Sequence, residues 1–227
     1  MHWADSLRTA ARCAALACFT ASFASAASAQ IALSEVFYDA TGSDDQREWI
    51  ELVNESDAPV DLSGFSLGWG GSTWLSGTAA LAGIVAPGQV YVVGGPLSGP
   101  ENANPVFDLA VDLEADLQNS GATADGVALF DVPVEELLAE TVPLDAVLYG
   151  ESNDSGLIGP LGVPAAVDVA DAPAGSSIER GADGIWRVQE FPTPGAHPVP
   201  EPSGAALGIA SAAALGARFS RRAGAPR

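Results

Sequence analysis

Acids dominate the side chains of this chain that could do chemistry. Carboxylates stand close together as Asp44 with Asp45, Glu48 with Glu51, and Glu135 with Glu136. A glycosidase uses two acids, one with a raised pKa, on either side of a sugar bond. With 29 acids in 227 residues, close pairs arise by chance, and none of these is given a catalytic role. Asp39, Asp44, Asp45 and Glu48 offer several of the six to eight oxygens a Ca2+ cage needs, but their spacing fits no EF-hand loop. These four are the candidate metal ligands, and Ca2+ is the candidate cofactor in a chain that otherwise calls for none. The plainer reading is an acidic, solvated turn. Trp69 and Trp74, with glycines close by, would form a carbohydrate-stacking patch if exposed, although such residues are more often core.

Other chemistries lack their parts. A Ser-His-acid arrangement needs a histidine, and past the first residues only His197 is present, in a proline-rich tail. Zinc sites need several His or Cys ligands. A phosphate loop needs glycines ahead of a lysine and a helix start, and Gly94-Gly95-Pro96 has neither. The chain contains no lysine. Setting aside Asp5 and Glu201 leaves 27 acids in residues 30–199, against Arg47, Arg180 and Arg187, a formal charge of 3 − 27 = −24. Nucleic-acid binding relies on Lys and Arg to displace counterions, so no nucleic-acid partner is expected. The acid excess suits a solvated exterior.

Both ends read as addresses. In residues 1–29, Arg8 and Arg12 precede an apolar run from Cys13 to Phe23, and Ala27-Ser28-Ala29 gives a small-x-small site. This predicts a secretory signal peptide cut between Ala29 and Gln30. Ala15-Leu16-Ala17-Cys18 resembles a lipobox, but it lacks the large aliphatic residue three places before the cysteine. Cys13 and Cys18 both leave with the leader, and a core of about 170 residues buries roughly 70% of its unfolded surface without a disulfide.

At the other end, Pro200-Glu201-Pro202 precedes an apolar stretch, residues 204–217, and then Arg218, Arg221 and Arg222. The stretch predicts a short apolar helix whose basic end stays cytoplasmic. It falls short of the ~20 residues of a comfortable span, hence a weak, transient inner-membrane anchor. The arrangement resembles the PEP-CTERM sorting signal of Gram-negative bacteria, which implies an exosortase as partner after export by the general secretion machinery. A plain C-terminal membrane anchor is the alternative.

Between the ends, residues 30–196 read as one domain of short strands. Ile50 and Leu52 alternate with Glu51, the mark of a strand with one wet face. Residues 31–38, 65–69, 84–85, 90–93, 106–113, 127–131, 146–149, 177–180 and 185–188 are the other strands, with Val60 opening a further short one. Ala86-Pro87-Gly88-Gln89 fits a type II turn, and Asp125-Gly126 is a hairpin cue. One helical turn fits within residues 135–140, and residues 150–175 read as a long surface loop. Turn signals at this spacing without sustained helix predict an all-β sandwich.

Eight phrases, taken in order, resemble the lamin-tail family: residues 31–38, 48–54, 60–65, 85–93, 117–121 with 127–131, 144–150, 176–180, and Trp186 through Phe191-Pro192-Thr193-Pro194-Gly195. The resemblance implies an immunoglobulin-like β-sandwich found in exported bacterial proteins, with no catalytic residues of its own. The expected function is that of an exported, non-enzymatic protein of the cell surface or extracellular matrix. Its work would be structural or adhesive, with exopolysaccharide or a surface protein as contact. The alternatives are a soluble secreted binding module for Ca2+ or carbohydrate and, last, a secreted hydrolase accessory protein.

Overall fold

The computed structural model describes residues 31–197, apart from 114, 116, 118, 120 and 121. The expected leader with its Ala29–Gln30 cleavage, the Pro200-Glu201-Pro202 tripeptide, the 204–217 helix and Arg218, Arg221 and Arg222 lie outside the described residues.

Among the described residues, the strands are β1 (Ile31–Phe37), β2 (Trp49–Asn54), β3 (Val60–Asp61), β4 (Ser66–Trp69), β5 (Gly77–Ala80), β6 (Ile84–Val85), β7 (Val90–Gly94), β8 (Leu109–Ala110), β9 (Asp125–Phe130), β10 (Asp145–Tyr149), β11 (Ser177–Arg180) and β12 (Trp186–Gln189). They form a six-stranded sheet in the order β12-β11-β1-β2-β7-β8, a four-stranded sheet β10-β9-β4-β5 and a small pair β3-β6. Every pairing is antiparallel except β7 with β8. The two larger sheets share one core: Ile31, Leu33, Val36, Ile50, Leu52, Val93 and Ile178 meet Leu67, Trp69, Val127, Leu129, Val147 and Tyr149. The result is a two-layer β sandwich in which the rings of Tyr38 and Tyr149 stack at 4.2 Å between the layers.

A bulge decides what β1 shows to each side. Strict alternation from Ile31 and Leu33 would send Glu35 into the core. Instead the register with β2 jumps from Leu33 opposite Leu52 to Glu35 opposite Glu51. The extra residue, Ser34, reverses the faces. Val36 and Tyr38 then point inward, and Glu35 points to the outer face beside Glu51.

That outer face departs from the expectation of a wet side. Every residue of β1 and β2 is buried. One part is covered by Phe107, which packs on Phe37, Ala40, Trp49 and Val92. Phe37 and Trp49 stack at 5.5 Å, and the Trp49 indole donates to Asn102 O at 3.1 Å. Another part is covered by residues 191–196, which cross the sheet as a strap.

Other expectations are corrected in detail. Asp125 and Gly126 lie inside β9 and not in a turn; Gly126 is needed because a Cβ there would sit 3.0 Å from the Trp74 ring and 2.5 Å from Val147 O. The strand expected over 106–113 shrinks to β8, and the helical turn is a 3-10 turn at Val134–Glu136. The 150–175 segment is no mere surface loop, since Leu157 and Ala172 are buried and Val169 bridges Tyr149. The Ala86–Gln89 turn forms as expected, with Gly88 at φ +68° and Gln89 N–H bonded to Ala86 O.

Candidate functional site

The most concentrated chemistry among the described residues lies under the strap. Glu51, Glu35 and Glu179 stand in a row across β2, β1 and β11, each Cα directly opposite the next. Like charges so placed repel, yet Glu35 and Glu51 are both fully buried. Hydrogen bonds compensate. Ser177 Oγ donates to Glu35 Oε1, and Thr193 N–H donates to the same oxygen at 3.0 Å. Thr193 Oγ1 donates to Glu35 Oε2 at 3.2 Å. Ser34 Oγ donates to Glu51 Oε1 at 2.8 Å, and Gly195 N–H to Glu51 Oε2 at 2.7 Å. The bulge residue Ser34 thus serves the neighbouring carboxylate.

The strap presents these amides because of its local sequence. Ala196 N–H bonds Thr193 O at 3.0 Å, and Gly195 has φ +89°. Pro194 at the second position and glycine at the third are the residues a type II turn asks for. His197 follows beside Arg180 and Glu55, which form a 2.6 Å ion pair. Burial there holds the imidazole below its ordinary pKa, and the Arg180 charge adds to this.

Burial also governs the carboxyls. It pushes Glu35 up to about 7, against the lowering effect of the Ser177 and Thr193 bonds and with some help from Glu51 and Glu179. Glu51 rises for the same reason, opposed by Ser34 and Gly195. Glu179, which accepts from Gln189 Nε2 at 3.0 Å, is also raised by burial. The arrangement can grip a peptide segment and hold a proton near neutrality. Both oxygens of Glu35 and of Glu51 accept bonds from the protein itself, so the pair faces its own chain.

The residues singled out from sequence fall elsewhere. Asp44 Oδ1 accepts from Ala40 N–H at 2.7 Å, closing the acidic turn. Asp39 lies near enough to Asp44 for their charges to interact, and Asp45 is exposed. Glu48 is buried and turns inward, accepting from Leu117 N–H at 2.7 Å. The four are therefore not gathered, and among the described residues no group of three or more candidate ligands forms a metal site. Glu51 pairs with Glu35 and not with Glu48. Glu135 and Glu136 are exposed on the 3-10 turn. Trp69 and Trp74 are both buried, with their indoles bonded to Ala115 O and Ile158 O; they are core and offer no stacking face. No helix of the described residues is long and apolar enough to cross a membrane.

The family model described as Lamin Tail Domain matches residues 24–145. Among solved structures, a DUF4876 family protein from Bacteroides thetaiotaomicron is similar at 13% identity, over 78% of this chain and 74% of its own, with a TM-score of 0.41. No curated protein matches the chain.

Proposed function

Since the chain belongs to the lamin tail domain family, we propose that it is an exported, non-enzymatic β-sandwich displayed at the cell surface or in the extracellular matrix. Its role is structural or adhesive, and an exosortase-type system sorts it. The supporting observation is the strap. Residues 191–196 are bonded across the outer face through Glu35 and Glu51, and in the sequence Pro200-Glu201-Pro202 begins three positions after His197. A sorting peptide needs a folded cargo ahead of it, and a strap fastened to the sheet just before the tripeptide supports that reading. The apolar 204–217 stretch and Arg218, Arg221 and Arg222 complete the signal.

The test is to change Glu201 to Ala in the native host and follow the protein between membrane and medium. The expected result is accumulation in the membrane fraction. An unchanged distribution would overturn the sorting reading. Retention on immobilised exopolysaccharide, at low and high salt, tests the adhesive role, and loss of retention at both salts would count against it.

A further inference from the structure

A second feature lies away from the strap, at the edge of the six-stranded sheet. Strands β6 and β7 are joined by the tight turn at residues 86–89, yet they do not pair with each other. β6 pairs with β3, and β7 pairs with β2. The splay leaves a groove of about 520 Å³, lined by Ile84, Val85, Val90, Tyr91, Asp108 and Leu109 among others.

Backbone groups on both walls face this groove. Asp108 N–H donates to Val92 O, and Val92 N–H donates to Asp108 Oδ2, each at 2.9 Å. Val111 N–H bonds Gly94 O at 3.0 Å. Val92 and Gly94 therefore turn their main-chain groups away from β2, and alternation turns those of Val90 the same way. β8 starts opposite Val93 and so stops short of Val90. On the other wall, Leu62 N–H bonds Gly83 O at 2.8 Å. The same alternation directs the main chain of Ile84 away from β3. Two short strand edges thus border one groove. Its apolar wall includes Ile84, which is 70% exposed, beside the Tyr91 ring.

Charge selects the occupant. Asp108 lines the groove, Asp61 stands opposite Ile84 across β3 and β6, and no Lys or Arg is among the lining residues. The domain around it sets 27 acids against three arginines, a formal net charge of −24. A second copy of this chain would bring the same negative charge, so like-charge repulsion counts against it. We propose that this groove docks an extended cationic peptide segment, with apolar side chains at alternate positions, by strand addition at Val90 and Ile84. Main-chain pairing supplies affinity, the apolar wall takes every second side chain, and the acids attract Lys or Arg on the others. This goes beyond the surface role above and rests on a different site.

The probe is a ten-residue peptide of alternating valine and arginine, titrated into the full chain by fluorescence anisotropy. A second peptide of equal charge carries proline at its two central valines. If the main chain pairs, the proline peptide binds about tenfold more weakly, the loss expected for one or two hydrogen bonds. Equal binding of both peptides would mean diffuse attraction to an acidic surface and would overturn the proposal, as would no binding at all. Ile84→Asp separates the two cases again. It removes apolar wall while adding negative charge, so docking in the groove weakens about fivefold, whereas diffuse attraction strengthens. Since Ile84 is largely exposed, the fold should tolerate the change; a matched far-UV spectrum and melting point confirm this.

Discussion

Replacing Glu35 by glutamine should make the domain more stable at neutral pH and flatten its pH dependence. The carboxyl sits at about 7 in the folded chain against an ordinary 4.5. Below 4.5 both states hold the proton, and the group does not affect the balance. As the pH rises from 4.5 towards 7, the unfolded chain releases its proton first, so unfolding becomes easier. Above 7 both states are ionised and the penalty stays constant. At about 1.4 kcal/mol per pH unit, the full penalty is about 3 kcal/mol. Glutamine keeps an acceptor for Thr193 N–H and never ionises, so the variant escapes most of it. Thermal melts of both proteins from pH 4 to pH 8.5 are the assay. Wild type should lose stability relative to the variant between about pH 4.5 and 7, ending several degrees lower in Tm. The comparison cancels the other raised acids, among them Asp145, Asp168 and Asp171, because both proteins carry them. Glu51 lies opposite, and its charge adds to the rise at Glu35, so the measured midpoint includes that interaction. Parallel curves, or a variant that is less stable at pH 8, would refute the claim that burial outweighs the strap's hydrogen bonds.

Two further outcomes follow from the geometry. Gly77→Ala should cost about 1–3 kcal/mol, because a Cβ at Gly77 would lie 2.2 Å from the Trp69 ring, and that ring is fixed by its bond to Ala115 O; a lower urea midpoint with an unchanged slope is the readout. Millimolar Ca2+ should leave the melting point unmoved, since Asp44 and Glu48 are already engaged by Ala40 and Leu117 amides; a rise of several degrees would restore the acidic turn as a metal site.

Much of the sandwich was legible because burial of one face writes alternation into the sequence, as with Ile50 and Leu52 in β2 or Val127 and Leu129 in β9. What lies on the other face is not written locally. Glu51 between Ile50 and Leu52 looks like a wet residue, and only the return of the chain 144 positions later, at Gly195, shows that it is covered. Glu35 was hidden twice, by the bulge at Ser34 and by a partner 158 positions away. Local signals did exist: a glutamate inside an otherwise apolar strand, and a Thr-Pro-Gly turn after the last strand. Their pairing is a long-range fact. β5 was missed because Gly77-Thr78-Ala79-Ala80 is made of small residues whose alternation carries little contrast. Asp125-Gly126 misled because glycine marks turns and close approaches alike, and here the indole of Trp74 required it.

The place where residues 191–196 are fastened bears on how the domain would carry load. A pull on the chain beyond His197 would not first peel the edge strand β12 from its neighbour. It would meet the bonds from Thr193 and Gly195 to the middle of the sheet, which would have to part before tension reached β12. If the domain were held by its tail, this fastening would act as a sacrificial link, yielding and lengthening the tether before load reached the sandwich behind it.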